Sequence, residues 1–330
     1  MNEEQQLSAD ANLRLAVDWA PAYELVLSLI NFATFPKHNL LELGDAWARD
    51  IQRGLSPELA ARLQRKNVLA VLSPREADLL VLLVRACPAD RVARPFTAWL
   101  SSLGAGNAYE AVCDRLRPGG PRLPRDFVGW RDRCVDVLSA WQDVYFDNLD
   151  PAILRGLHAE AERLGANLAG PPRAIVEQVT NGLFIDPAHE PQSVTLVPQY
   201  HQRPYNHDTV EQGGMIILYP ADVSETPPEL PPPGLLRLTH ALSDDSRLRM
   251  LRLLADGTRT LSELARLVGL SQPTVHHHLV HLRAAGLVRV HTSVTGSRSY
   301  SLRPRALEQL RDQLGAYLGV SSSEPERQPA

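Results

Sequence analysis

The stretch SQPTVHHHLVHLRAAGLVRV, residues 271–290, places His276, His277, His278 and His281 within six positions. Imidazoles this close together can bind a metal, shuttle protons or present hydrogen-bonding groups to another molecule. His277 and His281 are four apart and share one face of a helix, a spacing that can hold zinc. No carboxylate or thiolate adjoins them to complete a ligand set, and no acid–base pair or nucleophile lies beside them. The residue types therefore predict no metal site and no catalytic residue here. His278 falls three positions after Val275 and shares its packing face, which predicts a half-buried side chain. The remaining imidazoles are expected on an exposed polar surface.

A second cluster, YHQRPYNHD at residues 200–208, combines His201, Arg203, Tyr205, His207 and Asp208. These side chains could line a site for an anionic or aromatic ligand, which would make the protein responsive to a small-molecule effector. The plainer expectation is an exposed loop between strands. Trp19, Trp47, Trp99, Trp130 and Trp141 stand at helical spacings and read as core. The chain carries no phosphate-binding P-loop, no dinucleotide-binding glycine pattern, no G-x-S-x-G and no H-E-x-x-H. No cofactor and no enzymatic activity are expected.

The elements that position these groups fall into two parts. At 330 residues the chain is long enough for two domains. Three scattered cysteines, Cys87, Cys113 and Cys134, provide no disulfide framework and suit reduced thiols. The acidic, polar start MNEEQQLSADAN is not a signal peptide, and the most apolar runs are too short to span a bilayer, so a cytoplasmic protein is expected. Proline density marks residues 221–234 as a stiff linker. Before it, residues 1–220 read as a mostly helical regulatory or dimerisation domain. After it, residues 235–318 form a compact unit, and residues 319–330 read as a disordered tail. The fold class expected is mainly α, formally α+β: a helical N-terminal domain ending in a short β-hairpin, then a winged helix-turn-helix.

Within the N-terminal part, PAYELVLSLINFA opens with Pro21, well suited to a first helical turn. SPELAARLQRKNVLAVL and SPREADLLVLLVRA each begin Ser-Pro with Glu in the first turn, a helix-start signal. SVTLVPQY and GMIILYP read as two strands, joined by a polar loop or hairpin connection.

The C-terminal unit is more specific. In DDSRLRMLRLLADG, Leu248, Leu251 and Leu254 recur at helical spacing. Thr260 and Glu263 match a capping box, and Gly269 suits a left-handed helix end. Ser271 is a natural N-cap for a second helix whose core face is Val275, Leu279 and Leu282, so two short helices are joined by a turn of helix-turn-helix length. Val288 and Val290, then Tyr300 and Leu302, alternate with polar residues around Thr295-Gly296, which predicts a hairpin wing. A last helix aligns Leu307, Leu310, Leu314 and Leu318.

In SRLRMLRLL, LSELARLVGLSQPTVHHHLVHLRAAGLV and RSYSL, residues 238–303 resemble the winged-helix domain of ArsR/SmtB transcriptional regulators. The resemblance covers about a quarter of the chain; the long N-terminal part lies outside the minimal family domain. It implies a helix from Ser271 that enters the DNA major groove, a double-stranded DNA partner with a palindromic operator, and a homodimer paired through the last helix, on Leu307, Leu310, Leu314 and Leu318. The residues that reach base edges first are then Ser271, Gln272, Thr274, His276 and His277. Glutamine can bond adenine bidentately and threonine can touch a thymine methyl. Arg289 and Arg298, on and beside the wing, could meet phosphate or the minor groove. Metal-sensing relatives hold ions with thiolates or with carboxylate and imidazole groups on neighbouring helices. TLSELARL and RALEQLRDQLGAYL contain neither Cys nor His, so metal sensing at those places is not expected. Residues 234–318 carry twelve arginines against six acidic residues, so the basic charge is concentrated where DNA would lie. The competing expectation is a protein-binding winged helix, which would expose an apolar face on the second helix instead of a polar one.

Overall fold

The computed structural model describes residues 13–34, 41–88, 90–185, 191–223, 229–292 and 298–320. The chain divides into two units, one made of residues 1–172 and 191–224, the other of residues 173–190 and 225–330. Residues 173–190, expected within a continuous N-terminal domain, therefore belong with the C-terminal unit. The reason is burial: Leu183 and Ile185 are only 6% and 4% exposed, against the sheet of that unit.

The first unit is built around α1 (Pro21–Thr34), in which Leu25, Val26, Leu27 and Leu29 are all fully buried. A helix apolar on every side has to be enclosed by others. Around it pack α4 (Arg65–Val71), α5 (Pro74–Ala86), α6 (Ala93–Ser102) and α8 (Phe127–Val144). α2 (Gly44–Gly54), α3 (Pro57–Arg62) and α7 (Ala105–Val112) complete this part. Ser56 accepts a hydrogen bond from Leu59 N and caps α3, as the Ser-Pro signal predicts. The segment after it is not one helix: Gln64 is extended at ψ 135, which ends α3 and lets α4 turn onto α1 and α8.

Beside these helices, α9 (Pro151–Gly165) packs on a four-stranded sheet of order β1-β3-β5-β4. Its strands are β1 (Arg14–Val17), β3 (Ser193–Gln199), β4 (His207–Glu211) and β5 (Gly214–Pro220). The strands expected to form a hairpin, β3 and β5, run parallel, with Val194 beside Met215 and Val197 beside Leu218. The hairpin is instead β4–β5, closed by Gln212-Gly213, with Gly213 at φ +69 as a tight two-residue turn requires. The supposed polar connection thus contains a strand, which polar Thr209 and Glu211 hid although both are buried.

In the second unit, α10 (Pro172–Val179) and β2 (Leu183–Ile185) precede α11 (Pro233–Leu242), which the proline run begins rather than prevents, with Pro233 in its first turn. Next come α12 (Asp245–Ala255), β6 (Arg259–Thr260), α13 (Leu261–Val268), α14 (Gln272–Ala284), β7 (Val288–Thr292), β8 (Arg298–Leu302) and α15 (Ala306–Leu318). The sheet order is β2-β7-β8-β6. Asp244 caps α12 by accepting from Arg247 N at 2.9 Å, and that bond holds its carboxyl below the usual carboxylate range. The buried face of α12 is Arg247, Met250, Leu251 and Leu254. Leu248, expected there, is 48% exposed, because the helix turns Met250 inward instead. Arg247 is buried so that its guanidinium can donate to the last carbonyls of α11, Ala241 O and His240 O, both at 2.8 Å.

Candidate nucleic-acid interface

The turn between α13 and α14 is set by three local devices. Glu263 Oε2 accepts from Thr260 N at 2.7 Å, and Thr260 Oγ1 accepts from Glu263 N at 3.3 Å, a complete capping box. Gly269 ends α13 in the left-handed region at φ +78. Ser271 Oγ then accepts from Thr274 N and starts α14. Val275, Leu279 and Leu282 turn inward and are 0–1% exposed. That leaves Ser271, Gln272, Thr274, His276 and His277 exposed on the opposite side.

Four of these already have partners within the unit. Ser271 serves as the cap, and its hydroxyl lies 2.8 Å from that of Thr274. Gln272 Nε2 donates to Ser262 Oγ on α13 at 3.3 Å, which orients the amide without burying it. His277 and His281 face each other, Nε2 to Nε2 3.3 Å apart, and the His240 ring is 5.5 Å from that of His281. Among the described residues no group of three or more His, Cys, Asp or Glu could hold a metal ion. His278 is half-buried and lies 3.7 Å from Asp244 Oδ1.

Burial, followed by the neighbouring charges of His277, Arg247, His240 and His278, lowers the His281 pKa from 6.5 to about 4. The unfolded chain takes up that proton near its ordinary value and the folded chain resists it. The stability linked to this group is therefore complete above about pH 6.5 and is lost as the pH falls towards about 4. Comparing His281→Asn with the unmodified chain by far-ultraviolet circular dichroism should give a shallower loss of stability between these pH values for the variant. Equal pH dependence would mean that His281 does not contribute.

The wing is the antiparallel pair β7–β8, with Val290 beside Tyr300 and both buried. Arg298 opens β8 and is exposed; the predicted turn at Thr295-Gly296 lies outside the described residues. Arg289, expected to meet phosphate, is ion-paired within its own unit. Its Nε donates to Glu177 Oε1 at 2.7 Å, and its guanidinium lies 5.4 Å from the Phe184 ring centre. The sequence signal was sound for outward alternation on β7, and on that side Glu177 of α10 meets the guanidinium, which stays partly exposed.

In α15 the predicted leucine stripe divides. Leu310 packs against the core of its own unit, whereas Leu307, Leu314 and Leu318 are 57%, 39% and 60% exposed. Tyr317 and Val320 extend the uncovered apolar surface.

The N-terminal polar cluster is not the exposed loop expected of it: His201 and Arg203 are buried, and Tyr205 and His207 are half-buried. His201 is fully buried; its Nδ1 meets Glu24 Oε2 and its Nε2 lies 2.8 Å from Tyr145 Oη. Burial, chiefly, pushes the Tyr145 phenol well above its ordinary pKa. Arg203 is buried between Glu42, at 3.2 Å, and the Tyr200 ring, at 4.2 Å. The Tyr205 carbonyl accepts from Gln199 Nε2 at 2.9 Å, and His207 Nε2 lies 3.2 Å from Asp78 Oδ1. Sequence reasoning missed Glu24, Glu42 and Asp78 as the partners of these groups, and Glu177 as the partner of Arg289. The only available signal was Glu24, an acid in an otherwise apolar helix run.

Among the described residues, no helix is long and apolar enough to cross a membrane. Residues 244–290 match the family model of bacterial regulatory proteins of the arsR family. A crystal structure of an ArsR family transcriptional regulator is similar over 28% of this chain and 99% of that one, at 24% identity and a TM-score of 0.24. No curated protein matches the chain.

Proposed function

We propose that this protein, whose helix-turn-helix belongs to the arsR family of bacterial regulatory proteins, is a sequence-specific DNA-binding transcriptional repressor acting as a homodimer. Its N-terminal unit senses a signal or helps to hold the dimer. The observation that carries the reading is the exposed first turn of α14. Its side chains, Ser271, Gln272, Thr274, His276 and His277, are all polar, while Val275, Leu279 and Leu282 are turned inward and Val280 is half-buried. A protein-docking face would reverse that division. The helix N-terminus adds partial positive charge towards phosphate, and Arg298 adds a full one at the wing. A two-fold pair would present two such helices to half-sites about one helical turn apart. The exposed leucines of α15 are the surface on which a second copy would seat.

Selection of bound duplexes from random DNA by the full chain should return a palindromic sequence. Recovery of no enriched sequence would point to the protein-binding alternative. On the selected duplex, Gln272→Ala should relax preference at one position of each half-site by about tenfold or more, since a bidentate amide–adenine pair discriminates by about 1–3 kcal/mol. Non-specific affinity should hardly change. An unaltered profile across single-base variants would move base reading to His276, His277 or DNA shape. Arg298→Ala should instead weaken all sequences alike and flatten the salt dependence by about one counterion.

A further inference from the structure

We infer that residues 173–185 are a built-in clamp on the wing, and that Glu177 is the positioning residue that holds the wing strands for DNA. The inference rests on the DNA-binding reading above and adds a determinant outside the helix-turn-helix. The chain enters the second unit at residue 173 and leaves it by residue 191, long before the linker. In between it lays β2 parallel to β7, pairing Leu183 with Val290, Phe184 with His291 and Ile185 with Thr292. Val290 N donates to Gly182 O at 2.9 Å, and Arg173 Nη1 donates to Ile185 O at 2.7 Å, which ties α10 to the strand it leads into.

Glu177, on α10, stands at the centre. Its Oε1 accepts from Arg289 Nε on β7 at 2.7 Å and lies 3.7 Å from Arg303 Nε, just after β8. One carboxylate therefore spans both strands of the wing. Arg303 is buried and continues the lock by donating from Nη1 to Asn181 Oδ1 at 2.8 Å. Burial lowers the Arg303 pKa, so the acid opposite it is what makes a buried guanidinium tolerable.

The fit is close enough to demand glycine at position 182, where a Cβ, at φ +112, would come within 2.6 Å of the backbone oxygen of Val288. An edge strand that merely drifted against the wing would not require it. β6 borders the ribbon only along β8, and β2 with its charged bolt pairs the other edge, along β7, and gives the ribbon a defined direction. The same contacts remove Arg289 from the phosphate-binding set and give it a mechanical task.

The test uses the full chain and a duplex recovered by the selection above. Glu177→Gln keeps the shape and removes the charge; Arg289→Ala removes the other end of the bond. Each should weaken binding about three- to tenfold at temperatures well below unfolding, and the double variant should be no weaker than either single one, because both break the same link. The slope of log affinity against log salt should stay unchanged, since neither group touches phosphate. Amide exchange in residues 288–292 should quicken in Glu177→Gln. A purely stabilising Glu177 would lower the unfolding temperature and leave the affinity of folded protein unmoved, and that result overturns the inference. So does tighter binding by Glu177→Gln, which would make the carboxylate a competitor of phosphate for Arg289. A salt slope reduced by about one in Arg289→Ala overturns it as well. If the unmodified chain selects no duplex, the DNA-binding reading fails by itself. Exchange in residues 288–292 then decides the clamp, with unchanged rates in Glu177→Gln refuting it.

Discussion

Leu307→Glu together with Leu318→Glu is expected to turn the proposed dimer into a monomer and to weaken binding of the proposed palindromic duplex by more than about a hundredfold, because the second half-site is then no longer engaged intramolecularly. These two positions are 57% and 60% exposed on α15 and contribute little to their own unit. Charged side chains there are tolerated by a single chain. Across a two-fold axis they would oppose their own copies and desolvate unpaired carboxylates, which is strongly unfavourable. Leu310 is left unchanged because it packs on the unit's own core. Sedimentation gives the mass, and titration of a half-site duplex gives the affinity that should survive. A double variant that stays dimeric would place the interface on the N-terminal unit.

Glu24→Ala is expected to destabilise the first unit by about 3–5 kcal/mol, the usual loss when one partner of a buried ionisable pair is removed. Glu24 is 1% exposed on α1. Its Oε1 accepts from Tyr200 N at 2.9 Å and its Oε2 accepts from His201 N at 3.3 Å, besides meeting the His201 ring. Alanine would strand two amides and an imidazole in a site closed by Trp47 and Tyr145. Glu24→Gln preserves the shape and one acceptor, so its loss should be smaller. All five tryptophans, Trp19, Trp47, Trp99, Trp130 and Trp141, lie in the first unit, so their fluorescence follows its unfolding separately from the second. An unchanged denaturant midpoint for Glu24→Ala would show that the cluster is not a structural lock.

The helix-turn-helix was legible in the sequence because everything that specifies it is local. The capping box at Thr260 and Glu263, the left-handed Gly269 and the Ser271 cap each act within four residues. The inward face Val275, Leu279 and Leu282 follows from helical period alone, and it leaves Gln272, Thr274, His276 and His277 outside. The wing's alternation was readable for the same reason, since Val288, Val290 and Tyr300 all turn inward as a period of two requires.

What the tertiary structure alone decided depends on partners far away in the chain. Arg289 has the alternation of a solvent-facing residue, yet Glu177, 112 positions earlier, claims it. His201 sits in a polar run that reads as a loop, but Glu24, 177 positions earlier, draws it into the interior. The parallel pairing of β3 with β5 was hidden because strand period specifies which faces are buried and says nothing about the neighbour or its direction. Local periodicity and caps determine elements and their faces. Pairing, burial of charge and the strand β2 added along the β7 edge of the wing arise only when distant segments meet, and that meeting decides how the exposed-looking cations are engaged.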